Sequence, residues 1–119
     1  MADAAIFIGW GNPVHGREQH SLEVFTESMT YWGQLQQDGT IEDVQAYLLE
    51  PHGGDLAGFA VLRGDRANLA AVHASDDFQR LVTRAGLIVE NLGVVQATTG
   101  DALTAQMGTY QQQIAELAS

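Results

Sequence analysis

The sequence predicts an α+β domain, a sheet of four strands with helices against one of its faces. Three observations lead there. Apolar residues recur at steps of three and four in some stretches and alternate or run continuously in others. Glycine-rich turns separate these stretches, and their order is strand, helix, strand, strand, helix, strand and a final helix. With 119 residues, 45% of them apolar, the chain has the length and hydrophobic content of one folded unit. We therefore expect a single domain over 1–119, with its core in 4–97 and a C-terminal helix in 101–118.

The first strand is Ala4 to Trp10, apolar on both faces as an interior strand is, and it ends at Gly11-Asn12-Pro13. From about Arg17 to Asp38, Leu22, Phe25, Met29 and Trp32 fall at helical spacing with Leu35 close to the same stripe. Glu18 suits the positive end of that helix, and Gly39 suits a left-handed C-terminal cap. Ile41 to Glu50 then alternates, with Val44, Ala46 and Leu48 on one face and Gln45, Tyr47 and Leu49 on the other. Pro51-His52-Gly53-Gly54-Asp55 is turn chemistry, and Leu56 to Arg63 completes a β-hairpin.

Asp65 is a plausible N-cap for a short helix bearing Leu69, Val72 and His73. Ser75 can cap a second piece, whose stripe is Phe78, Leu81, Val82 and Ala85 and which Gly86 closes. Leu87 to Ala97 reads as the fourth strand, with Gly93 as a bulge. In the tail, Asp101 is expected as a cap for a helix with Leu103, Met107, Tyr110, Ile114 and Leu117 on one side. That stripe must cover either its own sheet or a partner chain.

The charge narrows the function classes. The formal net charge is −10, lysine is absent, and the fixed cations are Arg17, Arg63, Arg66, Arg80 and Arg84. Such a surface repels phosphate backbones and anionic membranes, so neither nucleic acid nor membrane is an expected partner. No cysteine is present, which removes disulfides, thiolate nucleophiles and cysteine metal sites. The first residues lack the cationic start of a secretory signal, and the cytoplasm is the expected location.

The element order is that of the ferredoxin-like βαββαβ fold with an additional C-terminal helix, in which strands one and three are central. Helices cover one sheet face only. The other would carry residues such as Phe7, Phe59 or Val61, and pairing two sheets face to face would bury them. Phe7-Ile8-Gly9-Trp10-Gly11, Gly53-Gly54-Asp55-Leu56-Ala57-Gly58-Phe59 and Arg63-Gly64-Asp65, with the element order over roughly Ala4 to Ala97, resemble the dimeric α+β barrel superfamily. The chain is similar to its small bacterial members, including antibiotic-biosynthesis-monooxygenase-like, EthD-like and YCII-like proteins. The resemblance implies a homodimer that binds a small apolar or aromatic compound without a cofactor, as a monooxygenase or isomerase does. The alternative is a non-enzymatic interaction or regulatory module using its sheet face and C-terminal helix.

Candidate site residues follow from both lines. His15 and His20 flank the passage from the first strand into the first helix, where a neutral imidazole can act as a base; His15 is the candidate catalytic residue. Their spacing of five is not that of a zinc-binding helical pair, and solvent-facing loop histidines are the ordinary alternative. Monooxygenases of the resembled fold use Trp, Asn and His around the substrate, which points to Trp10, Asn12 and His15. Phe59 and His20 complete the candidate ligand contacts, and Arg63 could hold a carboxylate or pair with a neighbouring acid. No metal site is expected: His52 belongs to a turn and His73 to a helix stripe. The His–Asp pair of YCII-like proteins does not map onto this chain. Gly9-Trp10-Gly11 lacks the third glycine of a dinucleotide loop, and G-x-S-x-G and Walker motifs are absent.

Overall fold

The computed structural model describes residues 2–118. Its elements are β1 (Ala4–Trp10), α1 (Glu18–Gln37), β2 (Asp43–Leu48), β3 (Gly58–Gly64), α2 (Arg66–Ala74), α3 (Asp76–Gly86), β4 (Gly93–Thr98) and α4 (Gly100–Ala118). The sheet order is β2-β3-β1-β4 with every neighbour antiparallel, so the most apolar strands are central as the ferredoxin-like topology requires. α1, α2 and α3 lie on one face, and the core beneath them is built from Ile6, Ile8, Ala60, Leu62, Trp32, Ile41, Leu69, Val72 and Phe78.

The helix ends follow local chemistry. Asp65 Oδ2 accepts from Asn68 N at 3.2 Å, and Ser75 Oγ accepts from Phe78 N at 3.2 Å, so both expected N-caps form. α1 closes in a Schellman motif: Gly39 takes φ +83°, with Thr40 N donating to Leu35 O and Gly39 N to Gln36 O. Asp38 Oδ1 accepts from both the N–H and the hydroxyl of Thr40, and those bonds hold its carboxyl below the usual aspartate range.

Several expectations shift. α1 buries Val24, Ser28 and Trp32, whereas Leu22 is 61% exposed, so the inward stripe is rotated from the Leu22–Met29 line. β4 begins at Gly93 rather than Leu87, because Asn91 takes φ +56° and interrupts an extended run. Gly93 forms no bulge: the β1–β4 register is continuous from Ala4↔Thr98 to Gly9↔Gly93. Asp101 is not the cap of α4 but lies in its first turn, and the first backbone bond runs from Leu103 N to Thr99 O. α4 buries no residue, and the chain with α4 included has extents of 57 × 37 × 23 Å.

Candidate apolar cavity and open sheet face

The alternation of the strands sorts their side chains. Ile8, Trp10 and Leu48 face the helices, and a cavity of about 250 Å³ separates them from α1 and α3. α1 contributes Ser21, Val24, Phe25, Ser28 and Trp32; α3 contributes Phe78, Leu81, Val82 and Ala85. Ile88, Val89 and Leu92 close one end. The polar side chains of this wall are the hydroxyls of Ser21 and Ser28 and the indoles of Trp10 and Trp32; none of its residues is ionisable. Leu22 and Leu48, 61% and 73% exposed, also belong to the wall, so the cavity opens between the first turns of α1 and the end of β2.

Two glycines shape it. A Cβ on Gly58 would lie 2.8 Å from Trp10 Cζ2 and 2.8 Å from the carbonyl oxygen of Tyr47, so the bare backbone is what lets the indole lie across β3. From there Trp10 meets Phe25 of α1 edge-on, with ring centroids 5.8 Å apart. A Cβ on Gly11 would lie 2.6 Å from Glu90 O and 3.0 Å from Asp55 O. β1 thus leaves the sheet between two other segments, bonded through Gly11 N to Glu90 O, Ala57 N to Trp10 O and Val14 N to Ile88 O. On the outer side, Glu27 of α1 receives Arg80 Nη1 at 3.2 Å and Arg84 Nε at 3.1 Å from α3. Exposed pairs of this kind are worth only about 0.2–1 kcal/mol each, so this clamp positions the helices more than it stabilises them.

The opposite sheet face carries no helix. Its register aligns Tyr47, Phe59 and Gly9 in one row and Val61, Phe7 and Val95 in the next. Phe59 is sandwiched between Tyr47 and Phe7, with ring centroids at 5.0 and 5.4 Å. Arg63 ends this face and pairs with Asp43 at 3.7 Å.

The sequence-derived site residues therefore separate. Trp10 lines the cavity. Phe59 and Arg63 lie on the other sheet face, because Trp10 pairs with Gly58 and Phe59 with Gly9, one step out of phase. A single pocket shared by Trp10, His15 and Phe59 is thus not what the strands build. Asn12 and His15 are exposed in the β1–α1 connection and His20 is exposed on α1, all outside the cavity wall. His52 Nε2 lies 2.8 Å from Leu56 O, and its Nδ1 accepts from Gly54 N at 3.2 Å, so this histidine braces its own turn. His73 stacks at a tilt on Phe78 with centroids 5.6 Å apart. Among the described residues no three His, Asp or Glu side chains converge as metal ligands would. No described helix is long and apolar enough to cross a membrane.

The wall residues that sequence reasoning passed over include the small polar ones of α1, Ser21 and Ser28. Their signal was present: Ser28 sits midway between Val24 and Trp32 at four-residue steps, where a larger apolar side chain would have filled the space.

No protein-family model matches the chain, and no curated protein does. Solved structures do. A dimeric ferredoxin-like protein of unknown function from a Jannaschia species superposes with TM-score 0.62 at 13% identity, covering 81% of this chain and 99% of that one. An EthD family protein from Bacillus halodurans gives 0.62 at 10% identity, covering 84% and 100%. SnoaB, a cofactor-independent oxygenase from Streptomyces nogalater, gives 0.59 at 16% identity, covering 82% and 94%. At such identities the likeness is one of fold, and the fold is the ferredoxin-like one implied by the resemblance in the sequence.

Proposed function

We propose that the chain works as a homodimer whose protomers each hold a small apolar or aromatic compound in the cavity between the sheet and α1 and α3. The observation that carries this reading is the composition of the wall: two indoles, one phenyl ring on each of α1 and α3, aliphatic side chains and two hydroxyls, with no ionisable group. A charged ligand would lose hydration there with no charged group to replace it, whereas an apolar one gains burial against the walls. The volume of about 250 Å³ lies under the ~300–1,000 Å³ of pockets for drug-sized ligands. A dry cavity of ~150 Å³ is enough for benzene, so one or two fused rings is the class that fits. The homodimer is supported by the uncovered aromatic face around Phe59 and by fold neighbours described as dimeric.

Binding is better supported than turnover. Cofactor-independent oxygenation or isomerisation needs a group that moves a proton, and the wall presents only hydroxyl and indole donors. In the enzymatic version of the reading, His15 and Asn12, on the connection that also carries the wall residue Pro13, would supply that group. His15→Ala separates the versions: affinity holds in both, and turnover falls only in the enzymatic one.

Both tryptophans of the protein, Trp10 and Trp32, line the cavity, so occupancy reads out directly in their emission. Titration with 2-naphthol is expected to change that emission saturably, with one site per protomer. A response that stays linear with probe concentration would overturn the proposal.

A further inference from the structure

We infer that the cavity holds its ligand through a neutral oxygen substituent hydrogen-bonded to Ser28, which makes this serine the residue that separates oxygenated rings from plain hydrocarbon ones. The inference rests on the cavity being the binding site. Ser28 is 8% exposed, and among the described residues no other polar side chain is so buried. A hydroxyl on a helix ordinarily turns back onto a carbonyl three or four residues earlier. Ser21 Oγ donates to Glu18 O at 2.6 Å, Thr83 Oγ1 to Gln79 O at 2.8 Å and Thr109 Oγ1 to Ala105 O at 3.2 Å. Ser28 Oγ makes no bond to Val24 O, Phe25 O or any other described group.

Buried polar groups without a partner are costly, and proteins rarely keep them. Among the described residues, no side-chain nitrogen or oxygen is both sealed off and unbonded. Ser28 Oγ therefore keeps contact with open space, and the space that Ser28 borders is the cavity. Trp32, one turn further along α1 and 5% exposed, likewise has no described partner for its indole N–H. An alanine at position 28 would line the same wall without this cost. The hydroxyl finds its partner when the ligand brings one.

The wall decides what that partner is. It has no ionisable side chain, so a carboxylate or ammonium would go unneutralised there. The serine hydroxyl both donates and accepts, whereas an indole N–H only donates. A ring hydroxyl or carbonyl oxygen suits both groups. Ser28 lies two turns beyond Ser21, away from the mouth between Leu22 and Leu48. The oxygen therefore enters first, and the hydrocarbon end of the ligand faces the apolar lips.

Titrations of the tryptophan emission with 2-naphthol and with 2-methylnaphthalene, which carries a methyl group in place of the hydroxyl, isolate the contribution of the oxygen. Ser28→Ala is expected to weaken 2-naphthol by about two- to tenfold, the yield of one net hydrogen bond, and to leave 2-methylnaphthalene bound as well or better. Ser28→Cys, close to serine in size but a weak hydrogen-bonding group, should act in the same direction. Ser21→Ala should keep the wild-type ratio of the two affinities, because that hydroxyl is engaged by Glu18. Without ligand, Ser28→Ala should melt no lower than the native protein; a clear fall would show that the hydroxyl already has a structural partner and would overturn the inference. A ratio left at its wild-type value by both Ser28→Ala and Ser28→Cys would overturn it too, while sparing the cavity as the binding site. Failure of both probes to saturate the wild-type protein would overturn the two together.

Discussion

Replacing Ala85 by leucine adds three carbons to the α3 wall of the cavity, at a half-buried position beside Leu81 and Val82. Each carbon buried is worth about 0.8 kcal/mol. The site opens toward solvent, so about half of that gain is realised, and holding a leucine in one rotamer costs about 0.5–1 kcal/mol. The net effect is a stabilisation of about 0.5 kcal/mol, raising the melting temperature by roughly 2 °C for a domain of this size. Each added carbon displaces about as much as one water molecule, ~30 Å³, so about a third of the 250 Å³ is filled. A two-ring ligand must then distort the wall, at about 1–3 kcal/mol, or roughly 5- to 150-fold in affinity. Thermal unfolding and the 2-naphthol titration should therefore move in opposite directions. Destabilisation by more than about 1 kcal/mol would refute the reasoning by showing that the space does not exist as described. Unchanged affinity would place the ligand elsewhere.

Gly58→Ala should cost about 1–3 kcal/mol in urea unfolding, because its Cβ meets a ladder carbonyl and the Trp10 indole at 2.8 Å. In a Trp32→Phe background the emission of Trp10 should shift with it. Gly39→Ala should cost about 1–2 kcal/mol, since alanine is strained at φ +83°, while the cavity and its titration stay unchanged. Asp38 titrates lower in the folded protein than in the unfolded chain, because Thr40 bonds its carboxylate. Its contribution is therefore complete above the ordinary aspartate value of about 3.9 and is lost as pH falls through the lowered one. The stability advantage of the native protein over Asp38→Asn should be constant near neutrality and shrink only in strong acid. Phe59→Asp should shift native mass spectra from dimer to monomer, with the 2-naphthol response of each protomer retained.

Where a segment's own chemistry decides its structure, the sequence was legible. The continuous apolar run of β1, the Ser75 cap with Phe78, Leu81, Val82 and Ala85 behind it, and Gly39 after α1 all stand as their residue types require. What failed depends on partners far along the chain. Leu22 and Met29 belong to an ideal helical stripe, yet the neighbouring line through Val24 and Ser28 faces inward, because α1 roofs a cavity and does not press onto the sheet along its whole length. Asn91 enters the left-handed region and shortens β4, although Gly93 was the more obvious breaker. Trp10, named from the resembled monooxygenases, and Phe59, named as an aromatic ligand contact, are expected around one ligand, yet they lie on opposite faces of the sheet. Their separation rests on a single step of register, and a one-residue slip exchanges the two faces of a strand.

The tight exit of β1 past Gly11 bears on where the chain can change length. By sequence the stretch from Gly11 to Glu18 is one loop, the kind of place where insertions accumulate. Its first half is bonded to Ile88 and Glu90 and has no room even for a methyl group at Gly11. Its second half turns at Gly16, at φ +89° with nothing within 4 Å. Tolerance of added residues follows backbone bonding and burial, not loop assignment. A linker, tag or grafted loop placed at Gly16 would leave the cavity end untouched. The same insertion between Trp10 and Val14 would pry apart three segments of the chain at once.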